Sequence, residues 1–112
     1  MGTEIEKLVK VFKALGEPNR LGIVLSIGKD SRSVTEIINA TGLSQTLVSF
    51  HLRTLRNAQI VKTKRNGPFI YYSLSDPTLI DILNDLSLPI NSTGLISEKI
   101  LDSVPNRLLK KQ

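Results

Sequence analysis

The chain has 112 residues, of which 40% are hydrophobic and 22% charged, and a formal net charge of +5; that is the composition of one ordinary globular domain. It has no cysteine and a single histidine, His51, which excludes disulfides, thiolate metal centres, iron–sulfur clusters, thiol catalysis and any imidazole cluster within one chain. No apolar run approaches the roughly 18 residues of a membrane span and residues 1–15 carry no signal-peptide pattern, so the expected setting is the cytoplasm, with no membrane partner.

Thr3-Glu4-Ile5-Glu6 reads as a capping box, opening a helix to Leu15 whose apolar stripe is Ile5, Leu8, Val9, Phe12 and Leu15. Gly16 ends it. Pro18 suits a first helical position, and a second helix is expected to about Ile27, with Leu21, Val24 and Leu25 inward and Gly28 as its stop. Ser33-Val34-Thr35-Glu36 is another capping box. The short helix behind it carries Val34, Ile37, Ile38 and Thr41 on one side and stops at Gly42, a left-handed terminator. Ser44 is a good N-cap. The helix it opens, about 44–57, turns Val48, Leu52 and Leu55 to the core and Gln45, Thr46, Ser49, Arg53 and Arg56 to the other side.

After Ala58 the period becomes alternating. Ile60 to Arg65 and Phe69 to Leu74 read as strands joined at Asn66-Gly67, a strong hairpin signal whose type I′ turn needs positive φ at both residues. Pro68 lacks an amide, so the tip is expected to fray and the hairpin to stand outside any larger sheet. Asp76 and Pro77 open a further helix with the stripe Leu79, Ile82, Leu83 and Leu86, broken at Pro89. Residues 94–103 suit a last helix bearing Ile96 and Ile100. The expected organisation is a domain over 1–88, with a wing at about 60–74, and a helical C-terminal extension over 89–112.

Short helix, glycine turn, helix, then hairpin is the layout of a winged helix-turn-helix: mostly α with a small β-hairpin. Charge points the same way. Residues 31–75 carry six Lys and Arg against one acid, Glu36, and no acid lies between Glu36 and Asp76. A middle of one sign is the electrostatic footprint of a polyanion partner. Ser44, Gln45, Thr46 and Ser49 at the start of the second of these helices are short hydrogen-bonding groups of the kind that meet base edges in a major groove. Arg53 and Arg56 extend that face toward backbone or guanine. Lys62, Lys64 and Arg65 put charge on the hairpin, where phosphates lie. The expected partner is double-stranded DNA. Enzymatic chemistry is disfavoured, with one helical histidine and no glycine-rich phosphate loop. A sequence-neutral architectural DNA-binding protein is the alternative; it predicts similar affinity for any duplex, whereas a repressor predicts a large specific-to-nonspecific ratio.

Three segments resemble one family. They are Leu15-Gly16-Glu17-Pro18-Asn19-Arg20-Leu21, the run from Leu43 through Ser44-Gln45-Thr46 and Ser49-Phe50-His51-Leu52 to Leu55, and Asn66-Gly67-Pro68-Phe69-Ile70-Tyr71-Tyr72-Ser73-Leu74. Together they are similar to the second helix, recognition segment and wing of the ArsR/SmtB group of small dimeric prokaryotic repressors. The resemblance covers about residues 8–86. It implies a homodimer built on the first and penultimate helices, an inverted-repeat operator, and release of DNA on binding an effector, often a metal ion.

The sequence departs from that pattern at three places. Phe50 stands where the family often has a polar residue; it either contacts a thymine methyl or sugar or folds back onto the wing or helix. Gln59 stands where a glycine usually ends the recognition helix, so a residue with a Cβ must make that bend. Neither sensor pattern of the family is present: the helix from Val34 has no cysteines, and the helix after the wing has Asp76, Asp81 and Asp85 without histidine. No metal site or cofactor is therefore expected, and the effector is left unassigned. His51 is expected to pack or hydrogen-bond within the DNA-binding core, and Tyr71 and Tyr72 to be strand and core residues. Asn91-Ser92-Thr93 matches a glycosylation sequon without meaning in a cytoplasmic setting. The stripes of the first helix (Ile5, Leu8, Val9, Phe12) and of the helix after Asp76 (Leu79, Ile82, Leu83) hold more apolar positions than so small a core can cover. With Ile96 and Ile100 they are the expected dimer interface, and two-fold symmetry then calls for an inverted-repeat site.

Overall fold

The computed structural model describes residues 2–91, with side chains through Leu86; the expected helix over 94–103, with Ile96 and Ile100, lies outside the described residues. The elements run α1 (Gly2–Leu15), α2 (Pro18–Ile27), β1 (Arg32–Ser33), α3 (Val34–Thr41), α4 (Gln45–Asn57), β2 (Val61–Asn66), β3 (Phe69–Leu74) and α5 (Thr78–Asn91). Two compact units divide the chain, residues 1–80 and residues 81–112. The first holds α1–α4 and the sheet; the described part of the second is α5 from Asp81 onward.

The core of the first unit is aliphatic. Ile23, Val24 and Ile27 of α2, Ile37 of α3, Val48, Leu52 and Leu55 of α4, and Leu74 of β3 are its largest fully buried side chains. Burial of one such side chain is worth roughly 1.5–3 kcal/mol, so this cluster holds α2, α3 and α4 together around the sheet. The stripe of α2 is displaced from the expected one: Leu25 is 49% exposed because it lies one residue, about 100°, beyond Val24 on the helix. Glu17 caps α2, its carboxylate accepting from the Arg20 amide at 2.9 Å. The capping box at Ser33 is formed in full. The one expected at Thr3 is not: α1 already starts at Gly2, and a capping residue must keep an extended backbone that a helical Thr3 lacks.

The hairpin departs from expectation at its turn and at its outer edge. Asn66 pairs with Phe69, so the central turn residues are Gly67 and Pro68, and of the turn only Gly67 has positive φ (64°). A two-residue turn at Asn66-Gly67 would have put Pro68 at the closing position, where an amide must donate. Moving the turn by one places the proline inside it and lets Phe69 close the ladder, which is paired to its tip rather than frayed. Nor does the hairpin stand alone. Arg32 and Ser33 pair with Tyr72 and Tyr71, making a three-stranded antiparallel sheet of order β1-β3-β2. Pro68 sits at the turn, so the amides of β3 further along are available to β1. Arg32 fastens β1 to α2 through Nε donating to the Ser26 carbonyl at 2.6 Å.

Asp76 opens α5 with its side chain, and the helix starts at Thr78 and continues through Pro89 to Asn91. The expected break at Pro89 does not occur: within the described residues α5 runs through it to Asn91.

Candidate nucleic-acid interface

Gly42 closes α3 at φ 75°, its amide donating to the Ile38 carbonyl at 2.8 Å. A side chain would be strained at that φ, and the reversal lets Ser44 start α4 two residues later. The Ser44 hydroxyl accepts from the Leu47 amide at 3.2 Å. Helix α4 then buries Val48, His51, Leu52 and Leu55 and exposes the rest apart from half-buried Thr54.

The exposed side is the expected reading face. Ser44, Gln45, Thr46, Ser49, Phe50, Arg53 and Arg56 are all exposed. Gln45, Thr46, Ser49, Phe50 and Arg53 are brought together around one open surface depression of about 400 Å³. On the wing Lys62, Lys64 and Arg65 are exposed as well. A second depression, about 470 Å³, gathers Lys64, Arg65 and Asn66 with Ser31 and Tyr71. Arg56 and Lys62 line neither depression. Sequence reasoning missed Ser31 and gave Tyr71 no surface role. Tyr71 lies beside Lys64 because β3 registers it opposite Lys64 on one side and Ser33 on the other. The signal for this, a two-residue strand before a capping box, is too short to read from periodicity.

His51 is 5% exposed, packed and hydrogen-bonded as expected. Its Nδ1 lies 3.3 Å from a terminal nitrogen of Arg20. A guanidinium only donates, so Nδ1 accepts. Its Nε2 lies 3.9 Å from Oε1 of Glu17. Arg20 in turn donates through Nε to the Ala14 carbonyl at 2.7 Å. This triangle ties α4 to the junction of α1 and α2, and so fixes the pitch of the reading face against the body of the domain. The family-like run Glu17-Pro18-Asn19-Arg20 carried that signal; its meaning depends on a contact 31 positions away. The far end of α4 is closed by Gln59 at φ 61°. Its amide donates to Arg56 and that of Ile60 to Leu55, the paired bonds of a Schellman ending. A residue with a Cβ does make the bend.

Expected dimer-face residues also lie on the surface. Ile5, Leu8, Val9 and Phe12 of α1 are exposed, as is Ile82 of α5, while Leu79 and Leu83 are half-buried. Among the described residues no group of three or more His, Asp or Glu side chains is placed to hold a metal ion, and no helix is long and apolar enough to cross a membrane.

The family model of bacterial regulatory proteins of the arsR family matches residues 17–63, from the cap of α2 into β2. The chain is 34% identical over 74 residues to the transcriptional repressor SdpR of Bacillus subtilis strain 168, covering 66% of this chain and 82% of that protein. The chain belongs to the ArsR family. Among solved structures it is similar to HlyU from Vibrio cholerae N16961, at 30% identity and a TM-score of 0.71 over 77% of this chain and 97% of that one. It is also similar to the homodimeric winged helix-turn-helix DNA-binding domain of Mb0332 from Mycobacterium bovis, a possible ArsR-family regulator, at 27% identity and a TM-score of 0.64 over 76% and 84% of the two chains. The fold of this ArsR-family chain is therefore a winged helix-turn-helix, with α3 and α4 as its two helices and β2–β3 as its wing. The chain spans less than two thirds of the length of several curated relatives that it matches.

Proposed function

We propose that this ArsR-family chain is a transcriptional repressor that binds DNA sequence-specifically, as a homodimer, at an inverted-repeat operator. One observation carries the reading: a helix anchored by four buried residues presents Gln45, Thr46, Ser49 and Arg53 together, beside a wing of exposed Lys62, Lys64 and Arg65. Side chains of this kind at the start of a helix match base edges in the major groove, and wing cations match phosphates. Ser44 positions the helix and Arg56 extends its basic side. The naming of SdpR as a repressor supports the direction of regulation, and the homodimer of Mb0332 supports the assembly.

The dimer forms through Ile5, Leu8, Val9 and Phe12 of α1 and Leu79, Ile82 and Leu83 of α5, with Ile96 and Ile100 of the extension over 89–112 contributing to the contact between copies. The role is regulatory rather than catalytic, and its place is the cytoplasm, where DNA is met.

Selection of bound duplexes from a random library, followed by anisotropy titration, tests the reading. The expected result is an enriched inverted repeat bound at least about 1,000-fold more tightly than random duplex. Equal affinity for every duplex would instead make the protein an architectural DNA-binding protein.

A further inference from the structure

Phe50 is the anomaly of the reading face. It is 58% exposed among Gln45, Thr46, Ser49 and Arg53, which line the same depression. It does not fold away onto the wing. Its ring meets that of the neighbouring His51 at a steep angle, with centroids 5.2 Å apart and planes at 71°. His51 is itself buried and held between Arg20 and Glu17. The phenyl ring is thus propped outward by a fixed base.

A phenyl ring can neither donate nor accept a hydrogen bond in the base plane. Against most of the major-groove floor it would strip water from O6, N7, N6 or N4 groups and offer nothing back. One apolar feature occurs there, the C5-methyl group of thymine. From the exposure of Phe50, its place among base-reading side chains and its fixed support, we infer that Phe50 reads the C5-methyl group of one thymine in each half-site. This rests on α4 being the DNA-reading helix, as proposed above, and adds the chemistry of one base position.

The test uses the full chain and the duplex recovered by selection. Each thymine is replaced in turn by deoxyuridine, which removes the methyl group and leaves every hydrogen bond of the base pair. The expected result is one position per half-site where wild-type affinity falls about fourfold, the worth of one buried methyl at ~0.8 kcal/mol. Substituting both half-sites together should cost about fifteenfold. In Phe50→Ala the same substitutions should change affinity less than about 1.5-fold, with circular dichroism as in the wild type reporting an intact fold. Wild-type binding that no deoxyuridine weakens would overturn the inference while leaving the DNA-binding function standing, as would an equal loss in Phe50→Ala. A library that yields no enriched sequence would overturn both.

Discussion

Helices α1 and α4 are of similar length, and each turns a broad face to solvent, but the two faces differ in chemistry. The outer side of α4 is polar and basic apart from Leu47 and Phe50, and the helix is anchored beneath by Val48, His51, Leu52 and Leu55. Helix α1 exposes an apolar stripe beside its charged residues: Leu8 is 54% and Phe12 61% exposed, and among its residues only Ala14 and Leu15 at its end are buried. A polar face can exchange water for the hydrated surface of DNA at little cost. A continuous apolar stripe gains from being covered by another apolar surface. One domain therefore carries two kinds of unfinished surface, one suited to nucleic acid and one to a second copy of the chain.

Breaking the apolar face should have the largest effect. Leu8→Glu combined with Phe12→Glu puts charge on positions that are already exposed in the single chain, so circular dichroism should stay unchanged. Sedimentation should report a monomer, and operator affinity should fall about 1,000-fold toward the nonspecific level as one half-site is lost. A dimer that survives both charges would mean that α1 is not the interface.

Breaking the polar face should cost less and cost it selectively. Gln45→Ala or Ser49→Ala should lose roughly 1–3 kcal/mol per half-site on the operator, measured by anisotropy, with little change on random duplex. Losses of equal size on both duplexes would show that this face holds DNA without reading it.

The wing sharpens the contrast further. Lys64→Ala or Arg65→Ala should weaken operator and random duplex alike, and should lower the slope of log affinity against log salt by about 1 for each phosphate that is no longer neutralised. A change confined to the operator would make the wing a base reader.

The smallest effect belongs to the start of α5. Asp76 accepts from the hydroxyl of Thr78 at 2.7 Å and from its amide at 3.0 Å, and these two bonds, the hydroxyl's first, hold its carboxyl below the ordinary value of 3.8. A depressed carboxyl stabilises the fold while ionised. Its contribution is complete at neutral pH and fades as the pH falls from about 4 through the lowered folded value. Asp76→Asn should therefore lower the thermal midpoint slightly at pH 7, and the gap from wild type should close in acid. A gap that stays constant from pH 7 to pH 3 would exclude the ionised cap.

Local signals made most of the reading face legible. Ser33 with Glu36, Gly42, Ser44 and the spacing of Val48, Leu52 and Leu55 each act within a few residues, through a cap, a left-handed φ or a helical period, and each is found where expected. The errors fall where a distant partner or a competing local demand decides. Leu25 fits an inward stripe as well as Ile23 or Ile27 does, until packing selects the face of α2. Asn66-Gly67 is a good turn in isolation, until Pro68 cannot donate in the ladder. Arg32 and Ser33 have no strand signal of their own and become one because β3 offers an unpaired edge.

By itself the sequence determined the caps at Ser33 and Ser44, the order of helices and hairpin, the acid-free middle and the identity of the groups along α4, since these follow from side-chain chemistry and from spacing within one or two turns. Only the tertiary structure decided how α4 is held. The part-buried triangle of Glu17, Arg20 and His51 joins residues 31 positions apart, and no periodicity records which arginine a histidine will meet. It also decided that Phe50 stands out toward solvent instead of joining the core, because the inward side of α4 is already filled by Val48, His51, Leu52 and Leu55.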